Sequence, residues 1–163
     1  MIENSGGRYL PVLGVVLVFG IAGSAFADVG RDTLRETADA AIDLIERDGV
    51  AASMPTLEEP PFFDRGSGLH VWAMDGDAIV VLDASEQTSP GDDLSTFSLD
   101  GDTPVSVEIR EAIAAGEVIV WHDLVPHAVT GELSTSQVWC VESTDVDGYE
   151  EVVLCAMAWF DEE

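Results

Sequence analysis

Lysine is absent from this chain. Its six basic residues are all arginines and face 32 acidic ones, for a formal net charge of −26. Phosphate binding needs clustered Lys and Arg, so nucleic acid is excluded as a partner. Anionic lipid surfaces are disfavoured for the same reason. Cysteine is scarce, with two in the whole chain and no CxxC pair. The sequence also lacks HExxH, G-x-S-x-G, a phosphate-binding loop and a D-x-D-x-D-G calcium loop. Ser, His and Asp all occur, but their spacing defines no triad. The expectation is a chain with no cofactor, no metal site and no enzymatic chemistry. There is no internal repeat and no low-complexity linker.

What is present is a hydrophobic content of 47%, too high for a disordered acidic tail. The acids therefore read as a coat on a globular domain, self-repelling unless salt screens it. High acidity without lysine resembles proteins of salt-loving organisms. The N-terminus, "MIENSGGRYLPVLGVVLVFGIAGSAFADVG", carries Arg8, an apolar run from Leu10 to Ala22, and the small-x-small sequence Ala25-Phe26-Ala27. This is the build of a secretory signal peptide, the alternative being an uncleaved N-terminal anchor of marginal length, broken by Pro11 and several glycines. The expected organisation is a signal segment over 1–27 and one domain over 28–163. No second run of spanning length follows, so the exported protein is expected to sit in no membrane. Its expected location is the periplasm or the extracellular medium.

Within the domain, Leu34, Ala38, Ala41, Ile42 and Ile45 recur at helical spacing up to Gly49, which predicts a long amphipathic helix. "MPTLEEPPFFDRGSG" reads as a proline-rich connection. "LHVWAMDGDAIVVLDAS" predicts two strands around an Asp75-Gly76 turn. A long loop over 86–102 follows. Thr103 as N-cap, Pro104 as first residue and Gly116 as terminator bracket a second helix with Val105, Ile109, Ala112 and Ile113 inward. "EVIVWHDLV", "SQVWCVES" and "EEVVLCAMAWF" are three further strands. The fold class is α+β, with an antiparallel five-stranded sheet, a long helix and a crossover helix.

The last two strands meet through Asp147-Gly148, a dipeptide favoured in hairpins. Val146 then faces Tyr149, and paired positions sum to 295. Cys140 and Cys155 also sum to 295, so they oppose each other on one face. Cross-strand pairs place Cα atoms about 4.5 to 5.5 Å apart, which overlaps disulfide geometry. In an oxidising compartment such a pair is bridged, a restraint worth on the order of 3 kcal/mol for a loop of this length.

The order of these features resembles a single Cache domain, a PAS-like extracytoplasmic sensor module. The resemblance rests on "WAMDG" at 72–76, on "GDDLSTFSLDGD" at 91–102 and on Pro126 with Thr130-Gly131. It spans nearly all of the predicted domain. It implies a pocket on the sheet, between the long loop and the third and fourth strands, with Trp72, Asp83, Trp121, Asp123 and Trp139 as candidate lining. The chain departs from the family's pattern in three places. Asp83-Ala84 stands where His-Pro is common, Val125 where an aromatic precedes the proline, and Ser136 where a lysine meets a ligand carboxylate. A neutral, zwitterionic or cationic small molecule is therefore favoured over an anionic one. The implied role is small-molecule sensing, with a membrane receptor or kinase as partner.

Each candidate also has a structural reading. The four tryptophans could be core, and Asp83 could be a solvated strand end. His70 and Trp72 share strand parity, as do Trp121, Asp123 and Val125. His122, Asp123 and His127 match no metal spacing and read as loop polar residues. The rival functions are an interaction protein with a collapsed pocket and an enzyme using Asp83 and His122.

Overall fold

The computed structural model describes residues 30–127 and 130–159. The predicted signal segment over 1–27, the predicted start at Asp28 and the end of the last strand at Phe160 lie outside the described residues. Helix α1 runs Arg31–Asp48 and buries Leu34, Ala38, Ala41, Ile42 and Ile45, the stripe the spacing predicts, together with Thr37 and Leu44. It ends at Gly49, whose φ of 82° is open to glycine at little cost.

The proline-rich connection is corrected in part. Val50–Leu57 forms a short helix, α2, with Pro55 inside it. Proline removes one helical hydrogen bond. Burial of Leu57 and packing of Val50 and Met54 against the α1 core offset that loss.

Strands β1 (His70–Asp75) and β2 (Val80–Asp83) pair antiparallel. Their connection is longer than the two-residue turn predicted. Asp75 Oδ1 accepts from the amides of Asp77 and Ile79, both at 3.0 Å. Ala78, not a glycine, takes the left-handed position at φ 65°. Helix α3 is Val105–Ala115. Its N-cap is Pro104, one residue later than predicted, and Thr103 supplies no cap. Gly116 terminates it in the left-handed region, as expected.

β3 (Ile119–Pro126), β4 (Leu133–Ser143) and β5 (Val152–Trp159) complete one antiparallel sheet of order β2-β1-β5-β4-β3. Tyr149 N donates to Val146 O at 3.2 Å across Asp147 and Gly148. The ladder runs from Ser136↔Trp159 to Ser143↔Val152, with Cys140 opposite Cys155. The two cysteines form a disulfide, with Cα atoms 4.1 Å apart.

The sheet separates two cores. α1 and α2 cover one face, over Val71, Ala73, Leu154, Ala156 and Ala158. α3 and the long loop cover the other, over Trp72, Met74, Cys155, Met157 and Trp159.

Candidate ligand-binding site

The face under α3 and the loop is incompletely filled. Strand alternation turns Trp72 of β1, Met157 of β5 and Trp121 of β3 to this side. Together with His70, Asp83 and Val125 they form the floor of a cavity of about 90 Å³. Leu94, Phe97 and Leu99 of the loop and Val105 of α3 roof it, with Gln87 and Thr88 at one side.

The roof owes its shape to its own carboxylates. Asp92 Oδ2 accepts from Ser89 N at 2.8 Å and Asp93 Oδ1 from Ser95 N at 2.8 Å. Asp100 Oδ1 accepts from Asp102 N at 2.8 Å and Ser98 Oγ at 2.9 Å. These bonds hold the carboxyls of Asp93 and Asp100 below the usual range, the Ser95 contacts acting on the first and chiefly the Asp102 amide on the second. Gly91 and Gly101 take φ values of 100° and 88°. The loop also zips onto β2, through Val80 N to Asp92 O at 2.9 Å and Gly91 N to Val80 O at 2.8 Å. The "GDDLSTFSLDGD" stretch thus turns twice, seals the β2 edge and presents Leu94 and Phe97 to the cavity.

Asp83 lies in the cavity wall, 7% exposed. Its Oδ1 accepts from Ser85 N and Oγ at 2.8 and 2.6 Å, and its Oδ2 from Thr88 N and Oγ1, both at 2.8 Å. All its lone-pair directions are taken. It organises the loop and offers the cavity charge rather than a free acceptor.

Of the five sequence-predicted residues, the structure brings Trp72, Asp83 and Trp121 together around the cavity. Asp123 stands apart. A bulge between Trp121 and Val125 breaks the predicted parity and leaves Asp123 exposed at φ 51°. Trp139 also stands apart, packed against the α1 core. It adjoins Cys140 in one strand, and alternation sends adjacent residues to opposite faces. Arg31 and Arg35 lie over its ring, with guanidinium carbons 5.2 and 5.9 Å from the centroid.

Sequence reasoning did not assign His70, Leu94, Phe97 and Met157 to the lining, although the shared parity of His70 and Trp72 was a usable signal. His70 is 1% exposed, and its Nδ1 lies 3.0 Å from Gly68 O. A carbonyl only accepts, so Nδ1 carries the proton and Nε2 is the ring's acceptor in the neutral form. Burial pushes the His70 pKa down, against smaller opposing effects of the Gly68 carbonyl and the Asp83 charge. The ring stacks on Trp159 at 5.1 Å, and His127 packs on Trp159 at 5.0 Å. Gly68 is required there: a Cβ would lie 2.5 Å from Trp159 Cε3.

Trp121 donates Nε1–H to Glu108 Oε2 at 2.9 Å. Ser136, at the position where the resemblance expects a lysine, is fully buried, and its hydroxyl has no hydrogen-bond partner among the described residues. Among the described residues no three His, Cys, Asp or Glu side chains converge as a metal site. His122 and Asp123 are exposed, and neither borders the cavity that Asp83 lines.

No family model matches the sequence, and no curated protein matches it. Among solved structures, the chain is similar in fold to a methyl-accepting chemotaxis protein from Vibrio parahaemolyticus RIMD 2210633. The TM-score is 0.53 at 15% identity, covering 80% of this chain and 82% of that one. The likeness is one of fold: α+β, with helices packed on a five-stranded antiparallel sheet, consistent with a PAS-like arrangement. Among the described residues no helix is long and apolar enough to cross a membrane.

Proposed function

We propose that this chain is an exported, Cache-like sensory domain that binds a small molecule in the cavity beneath the loop and passes its state to a membrane receptor or kinase. The observation that carries the reading is the cavity itself, on the sheet face roofed by a structured loop in a fold shared with a chemoreceptor chain. Trp72, Asp83 and Trp121 are the predicted residues retained for it. The disulfide supports an oxidising compartment, periplasmic or extracellular. Among the described residues no Lys or Arg lines the cavity, which favours a neutral, zwitterionic or cationic ligand over an anion. The role is perception rather than catalysis.

A thermal-shift screen of the purified protein against amines, amides, amino acids, ureas, purines and organic acids tests the reading. The expected result is a saturable rise in melting temperature with a neutral or cationic compound. That rise should be lost in Trp72→Ala, whose folding is checked by circular dichroism. A screen in which no compound shifts the transition, or a hit that Trp72→Ala leaves untouched, removes the cavity as the binding site.

A further inference from the structure

The chemistry of the cavity narrows its ligand further. Three aromatic rings border it, Trp72 and Trp121 from the sheet and Phe97 from the roof. The Trp121 indole donates to Glu108, and donation to a carboxylate enriches the ring's π-face. Asp83 adds a negative charge to the wall, and among the described residues no ion pair neutralises it. Its oxygens are nevertheless filled by Ser85 and Thr88. The site therefore attracts positive charge while offering few lone pairs to an N–H donor.

That combination discriminates among cations. A primary ammonium brings three N–H donors that all need acceptors. The lining's side-chain acceptors are few, the Gln87 amide oxygen, the Thr88 hydroxyl and the His70 ring, set among mostly apolar side chains. A quaternary ammonium spreads its charge over methyl groups, requires no hydrogen bond, and is the cation that aromatic faces hold well. A volume of about 90 Å³ suits a head group of a few heavy atoms. Phe97, 49% exposed, marks the side that opens to solvent. Resting on the reading of this cavity as a ligand site, we infer that it takes a compact quaternary ammonium group, ringed by Trp72, Trp121 and Phe97 and facing the charge of Asp83.

The test compares choline with 3,3-dimethylbutan-1-ol, which has the same shape without the charge, and with methylammonium and acetate. Calorimetry and tryptophan fluorescence are run on the whole protein in molar sodium chloride. The Debye length there is about 3 Å, so the acidic coat does not bind cations unspecifically. Choline should bind saturably, with the uncharged isostere at least tenfold weaker. Phe97→Leu, at a half-exposed position, should weaken choline more than threefold and leave the isostere nearly unchanged. Asp83→Asn should shrink the preference for choline over the isostere. If that variant fails to fold, Phe97→Leu decides alone. Equal binding of choline and isostere, tighter binding of methylammonium or acetate, or a Phe97→Leu variant with unchanged choline affinity overturns the quaternary ammonium assignment and leaves the cavity a ligand site. If none of the four probes saturates, the assignment falls, and the broader screen above decides whether the site falls with it.

Discussion

The two faces of the sheet are made from alternate residues of the same strands, yet they pack differently. Toward α1 the strands present Val71, Ala73, Leu154, Ala156 and Ala158, and the helix answers with Leu34, Ala38, Ala41 and Ile45, all buried. The alanines on both partners let the helix lie close, and the aliphatic side chains between them are buried. Toward α3 the strands present Trp72, Met74, Met157, Trp159 and Trp121. Large side chains hold the cover away, and that cover is mostly loop. A continuous helix fills a face; a segment of turns leaves space between the points where it touches. The alternation of small and large residues thus makes one side a foundation and the other a chamber.

The contrast is breakable by substitution. Ile45 is 0% exposed on the sealed side, and Leu94, 8% exposed, roofs the cavity. Truncating buried Ile or Leu to Ala costs about 2 to 5 kcal/mol, more where surroundings cannot relax. Ile45→Ala should lose about 4 kcal/mol and Leu94→Ala about 2 kcal/mol in urea unfolding. Equal losses would mean that the two faces are packed alike.

The disulfide lies in the chamber-side core and cross-links the β4–β5 hairpin. Cys140→Ser with Cys155→Ser should lower stability by about 3 kcal/mol, without changing far-ultraviolet circular dichroism at low temperature. A loss near zero would show that the ladder alone restrains the loop.

The smallest expected effect is the pH response of His70. Its folded-state pKa lies below the unfolded value, so between the two the unfolded chain binds more protons and stability rises with pH. Melting temperature should therefore fall as pH drops below about 6.5. Asp64, whose carboxyl is held down chiefly by the Ser67 hydroxyl at 2.7 Å, acts with the lowered Asp93 and Asp100 in a separate window, below about pH 4. His70→Phe should flatten the slope between pH 7 and 5. An unchanged slope in that variant would assign the response elsewhere.

Much of the architecture was legible because it depends on local signals. The α1 stripe, the Gly116 terminator and the 295 register each follow from spacing and turn chemistry inside a short window. The bulge at Asp123 was not legible. Around it, contacts from distant segments hold β3, including Gln87 Nε2 to Pro126 O at 2.7 Å and Trp159 Nε1 to Val125 O at 3.3 Å. Trp139 was misplaced although its parity with Cys140 was available; the aromatic character of the position outweighed the alternation. Asp83 stands among the candidates, but its role depends on Ser85 and Thr88 curling back to it, a conformation its own strand does not encode. The roof residues Leu94 and Phe97 lie inside the "GDDLSTFSLDGD" motif, but a motif in a loop carries no periodicity that says which side chains turn inward.

The aspartate-held turns of the loop carry a consequence for divergence. Each such bond joins a carboxylate to an amide or hydroxyl no more than five residues away. These bonds do not depend on which side chains the floor supplies. The stretch from Asp83 to Thr103 carries much of its own shape and meets its host along the β2 edge, at Pro126 and through Leu94 and Leu99. Exchanging it would recut the chamber while ladder register, helix seam and disulfide stayed as they were.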